Sequence, residues 1–231
     1  MSRTVNVVRM QLVNRQTYIW VPLMVLGGAF VLSLAIWAMI RGVGAEGDLY
    51  GGGSQAPLWY FGVVGVQALT LTFPFSQAMS VTRREFFAGT LLTAAIASAL
   101  LAVVFVVGGL IEQATAGWGM NGYFFYLPPV WEAGALGAGL AFFTIALGFF
   151  TVGFAIATVY KRFGMLALTS TIIGLCALLV LGLFALIRFD LWGAMFGWFA
   201  EQGALGLSVW GLVAVVVVAG LAFLTLRRAT P

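Results

Sequence analysis

A chain of 231 residues that is 62% hydrophobic and 8% charged, with a mean hydropathy of +1.08, lies far from the roughly 25% charged composition of globular proteins, which excludes a soluble domain. Its basic excess, 11 Lys and Arg against 7 Asp and Glu, is scattered over short segments and not gathered in one patch, so it marks topology and not a nucleic-acid surface. With no histidine and a single cysteine, Cys176, the familiar zinc, haem and dithiol centres are excluded.

Residues 4 to 15 put Val5, Val8 and Leu12 on one helical face and Arg9 on another, the pattern of a helix lying along a membrane surface. Six stretches follow that are long enough to cross a hydrocarbon core about 30 Å thick, for which roughly 20 apolar residues suffice. They predict an all-α polytopic membrane protein with helices over about 17–40, 58–79, 90–111, 133–160, 163–187 and 207–226, in one transmembrane domain covering 1–231. The first stretch is longer than the core of a secretory signal and no A-x-A site follows it, so it counts as helix 1.

The connections differ in chemistry. Arg41 to Pro57 contains Gly51, Gly52 and Gly53 and reads as a flexible turn-rich loop. Glu112 to Glu132 carries Trp118, Tyr123, Phe124, Phe125, Tyr126 and Trp131, a density suited to the headgroup level of a bilayer. Leu191 to Gly206, with Trp192, Phe196, Trp198 and Phe199, is too apolar for a solvated loop and too short to cross, which predicts a re-entrant or interfacial piece between helices 5 and 6.

Charge sets the orientation. Arg3, Arg9, Arg15, Arg83, Arg84, Lys161, Arg162, Arg227 and Arg228 fall on one side of this arrangement, and Glu46, Asp48, Glu112, Glu132, Asp190 and Glu201 on the other. Basic residues next to membrane helices stay in the cytoplasm, so both termini are expected inside a cell (plasma) membrane.

The sharpest local pattern is SVTRREFFAGT, from Ser80 to Thr90. Thr82 followed three residues later by Glu85 is a capping box, flanked by Val81 and Phe86 as a hydrophobic staple. A helix therefore begins at Arg83, and Gly89 can end it after little more than one turn. The result is a short cytoplasmic helix between helices 2 and 3. Arg83 and Arg84 oppose the dipole of that first turn, so something other than helix stability places them there.

Six crossings in a chain of this length, with a polar-ended second helix and a cytoplasmic VTRREFF-G turn from Val81 to Gly89, resemble the membrane subunits of ATP-binding-cassette transporters in the type-2 exporter branch. The resemblance implies that Arg83, Arg84, Glu85, Phe86 and Phe87 form a coupling helix seated in a groove of a cytoplasmic ATPase subunit. It implies that ATP and Mg are bound by that partner, with no cofactor in this chain. A second permease subunit, identical or related, is implied as well. The N-terminal segment resembles the family's interfacial connecting helix, and Leu191 to Gly206 its outer re-entrant helices.

The remaining signals fit a transporter subunit and not an enzyme. No G-x-x-x-x-G-K-[ST] loop is present, and no G-x-S-x-G elbow. Gln67, Thr70 and Gln77 recur on one face of helix 2 and mark either a substrate path, a subunit interface or hydrogen-bonded helix packing. Small pairs such as Gly193 and Gly197, or Ala135 and Gly139, are read as sites of close helix approach. No acid or histidine lies within a crossing to bind a coupling ion, which favours an external energy source over an ion-coupled secondary transporter. The expected function is export of a lipid-like or amphipathic cargo, and the competing reading is a noncatalytic membrane scaffold or immunity protein.

Overall fold

The computed structural model describes residues 3–227. Arg228, counted above among the basic residues, lies outside the described residues. Among the described residues, five helices are long and apolar enough to cross a bilayer: Gln16–Gly42, Gly52–Ala78, Arg83–Ala114, Gly134–Arg188 and Trp192–Leu226. The chain is built as an all-α membrane protein.

In chain order, α1 (Arg3–Val13) precedes a π turn (Gln16–Trp20) and α2 (Val21–Gly42). The second spanning element joins α3 (Ala56–Gln67), a π turn (Ala68–Thr72) and α4 (Phe73–Ala78). Both π turns end two residues before a proline, Pro22 and Pro74. Proline has no N–H and its ring presses on the carbonyl four residues back, so the helical ladder widens there. Then come α5 (Arg83–Ala114), the short α6 (Pro128–Trp131), α7 (Gly134–Arg188) and α8 (Trp192–Leu226). Two parallel two-residue strands, β1 (Leu49–Tyr50) and β2 (Gly122–Tyr123), pair Leu49 with Gly122 and Tyr50 with Tyr123.

Two expectations change, and a third gains its form. First, α5 runs unbroken through Gly89, so no separate short helix precedes the third span. A Cβ on Gly89 would lie 2.6 Å from that of Val7; the glycine lets α1 pack on α5 and does not end a helix. Second, the helix continues through Lys161 and Arg162 and breaks at Gly164, at φ 80° and ψ −177°, a region open essentially to glycine alone. At 55 residues, α7 would reach about 80 Å if straight; the break divides it into limbs 134–163 and 165–188, each long enough for one crossing. Third, the apolar segment after residue 191 is helical. It forms the first limb of α8, 192–202, set off by a second glycine break at Gly203 (φ 58°, ψ −175°).

The core forms where backbones meet. A Cβ on Gly65 would stand 2.1 Å from the Phe150 carbonyl oxygen, and one on Gly153 2.0 Å from that of Gly62, so α3 and the first limb of α7 touch main chain to main chain. The pair Gly193 and Gly197 has nothing within 4 Å of either position and packs no helix. Gly139 meets Val106 Cγ2 at 3.3 Å, and Ala135 is half-buried against the core.

One end of the bundle is closed by a plug built on Glu112. This carboxylate is 0% exposed and accepts from the Trp118 indole at 2.9 Å and from the backbone N–H groups of Phe124, Phe125 and Tyr126 at 2.9, 2.8 and 2.8 Å. Four donors to one buried anion replace the water it has lost. Part of the aromatic segment turns into the bundle end: Phe124, Phe125 and Trp131 are buried, with Phe30, Phe105 and Phe125 ring to ring, while Trp118, Tyr123 and Tyr126 are half-buried. Arg41 completes the plug, its guanidinium donating to the carbonyls of Met120 (2.8 Å), Ala45 (2.7 Å) and Gly47. Because Glu46, Asp48 and Glu132 border the same loops, this is the acidic end.

Limb 165–188 contrasts with everything else. Almost all its side chains are exposed, and it stands away from the bundle as an apolar arm continued by limb 192–202.

Candidate functional site at the basic end

The opposite end gathers the start of α5, the end of α8 and α1. Thr82 caps α5 as its sequence predicts: its hydroxyl accepts from the Glu85 N–H at 3.3 Å, and the Thr82 N–H donates to the Glu85 carboxylate at 3.0 Å. The preceding turn places Ser80 at φ 57° and is held by Ser80 N–H to Gln77 O (3.0 Å) and Val81 N–H to Ser76 O (3.1 Å). The Gln77 side-chain amide also donates to Val81 O at 3.0 Å. Gln77 therefore shapes this turn.

The anomaly of two arginines in a first turn has a structural answer for one of them. The Arg83 guanidinium donates to the last carbonyls of α8, Arg227 O at 2.7 Å and Leu226 O at 3.4 Å. A cation at a helix C-terminus meets the negative end of its dipole and its unpaired carbonyls. Arg83 thus loses little at α5 and fastens α8 to it.

The five residues of the predicted coupling segment divide by direction. Phe86 is wholly buried, 5.1 Å ring to ring from Phe73. Phe87 is half-buried between Phe154 and Phe223, at 6.0 and 4.9 Å. Glu85 serves the cap and Arg83 serves α8, while Arg84 is exposed. Two phenylalanines root the turn in the core, leaving Arg84 and the backbone of the turn as its outer surface.

The attachment of α1 rests on contacts far apart in the sequence. Gln11 is 2% exposed, and its amide donates to the Thr90 hydroxyl at 2.7 Å; with Val7 on Gly89, this docks α1 onto the first turns of α5. The only advance signal was Gln11 between Met10 and Leu12, a polar residue on an otherwise apolar strip. Arg9 of α1 and Arg15 just beyond it stay exposed, so the N-terminal segment adds two cations, unpaired among the described residues, to the surface that bears Arg84. A further tie, Thr225 hydroxyl to Thr158 hydroxyl at 3.0 Å, joins α8 to the first limb of α7 near Lys161.

The polar stripe of the second span does not come together. The Thr70 hydroxyl donates to its own helix at Val66 O, 3.0 Å, Gln77 belongs to the basic-end turn, and Gln67 is half-buried without sharing a hydrogen bond with either. No protein-family model matches the chain, and no curated protein or solved structure does so either.

Proposed function

We propose that the chain is the membrane-spanning permease subunit of an ATP-binding-cassette transporter of the type-2 exporter branch, driven by ATP hydrolysis in a separate cytoplasmic subunit. One observation carries this reading: at the basic end a rigidly capped turn is joined by Arg83 to α8, by Gly89 and Thr90 to α1, and by Phe86 and Phe87 to the core. A push on that turn moves three elements together. A turn serving only as topology needs no such linkage.

In this reading the basic end faces the cytoplasm of a plasma membrane, the two limbs of α7 make separate crossings, and the six crossings leave both termini inside. Arg84, Arg9 and Arg15 meet acidic groups on the ATPase, which binds ATP and Mg. Closure of the ATPase pair tilts α5 and α8 and alternates access for an amphipathic cargo. The arm 165–188, unpaired within its own chain, supplies the surface for a second permease subunit.

Co-expression of the full chain with the ATP-binding-cassette ATPase encoded nearest its gene tests the reading. Arg84→Glu places a like charge at the docking surface, which costs several kcal/mol when juxtaposed with acids, so co-purification and stimulated ATP turnover fall by at least about tenfold while thermal unfolding is unchanged. Retention of both by Arg84→Glu together with Arg9→Glu would sink the assignment.

A further inference from the structure

The first limb of α7 and the limb 204–226 of α8 meet where Gly211 faces Thr144 and Gly148 faces Val215. Along this seam runs an apolar groove of about 710 Å³, with Glu132 and Gly203 at one end, Val152 and Val218 at the other, and Phe196 and Phe199 of limb 192–202 on a third side. At 1.5 Å per residue, the lining from residue 141 to 152 on one helix and 203 to 218 on the other makes it about 17–23 Å long. A long, mostly apolar groove with one charged end suits an extended hydrocarbon chain carrying a polar head.

The two ends differ in chemistry. Glu132 is exposed, has no hydrogen-bond or ion-pair partner among the described residues, and its Oε2 lies 3.6 Å from where a Cβ on Gly203 would stand. The α8 break thus leaves room beside a free carboxylate. The hydroxyls of Thr151 and Ser208 donate to their own helices, at Leu147 O and Ala204 O, both 2.7 Å. Thr144 is the exception: it is 6% exposed and its hydroxyl oxygen is buried without a partner. The wall of the groove is therefore apolar in effect, and Glu132 is its one charged group.

We infer that this groove binds a single-chain amphiphile with a cationic head, the chain lying between α7 and α8 and the head at Glu132. The inference deepens the exporter reading by naming a cargo class, and rests on that reading only for the role of cargo; binding needs no ATPase. The apolar wall holds the chain, and the lone carboxylate at the mouth selects the head by charge.

The full chain in nanodiscs of neutral lipid is titrated with a long-chain alkylamine and with an alkyl sulfate of the same chain length. The amine binds saturably and at least about tenfold more tightly than the sulfate. Glu132→Gln erases that preference, and Ala214→Trp, which fills the groove from an exposed position, abolishes saturable binding of both. Equal binding of the two probes to the unaltered protein, or unchanged binding to Ala214→Trp, overturns the inference. In a Cys176→Ser background, Ala214→Cys labels with a thiol reagent and the amine protects it; cross-linking at that site to a second copy would show a protein occupant and overturn it equally.

Discussion

The acidic-end plug and the arm 165–188 are both made of apolar residues, yet one is fixed from every side and the other from its two ends only. The difference lies in their polar groups. In the plug, Glu112 accepts from three successive backbone N–H groups and the Arg41 guanidinium donates to loop carbonyls, and a group deprived of water in a low-dielectric setting pays heavily for losing its partner. In the arm, the hydroxyls of Thr169, Ser170 and Thr171 donate to Met165, Leu166 and Ala167 of their own helix, at 2.9, 2.8 and 2.8 Å. No side-chain hydrogen bond among the described residues ties limb 165–188 to the rest of the bundle. Among lipid tails, which are as apolar as leucine, polar satisfaction and close packing decide which parts of a membrane protein are tied down.

Substitution can break this contrast in a graded way. Glu112→Ala leaves three buried N–H groups and an indole unpaired at about 1–3 kcal/mol each, so no cooperative unfolding transition survives in micelles, as tryptophan fluorescence on heating will register. Phe124→Ala opens a cavity in the same plug and costs about 3–5 kcal/mol, read as a lowered midpoint in the same scan. Gly164→Ala has open space around it and acts through backbone conformation alone, at about 1–3 kcal/mol; distances between spin labels at 145 and 180 should lengthen as α7 straightens. Leu179→Ala in the exposed arm costs less than about 0.5 kcal/mol in the monomer. A larger cost that grows with protein concentration would sharpen the contrast, since it would locate the second permease subunit on the arm, where the exposed Cys176 gives a ready cross-linking handle.

Local chemistry was legible in the sequence and long-range chemistry was not. The capping box at Thr82 and Glu85 could be read because both partners lie within one turn. The misfit of Arg83 could also be read, but its resolution lies 144 residues away at the Arg227 carbonyl, beyond any local pattern. Glu112 read as a loop acid because its donors follow 12 to 14 residues later, inside a segment whose aromatic content pointed to the headgroups. Spacing of small residues finds no partner within the described chain at Gly193 and Gly197 and was passed over at Gly62, Gly65 and Gly153. Periodicity shows which residues permit close approach and not which helix approaches. The break between the fourth and fifth predicted helices was set at the charged pair Lys161 and Arg162, whereas the helix tolerates both and yields at the one residue nearby that can take φ 80°.

Sidedness of the basic end tests the central claim most directly. In a Cys176→Ser background, Ser80→Cys and Gly47→Cys each place a thiol on an exposed turn, one at each end of the bundle, and intact cells are treated with a membrane-impermeant maleimide. The account predicts labelling at 47 in intact cells and at 80 only after permeabilisation, as a turn reached by a cytoplasmic ATPase requires. Labelling at 80 in intact cells would contradict it.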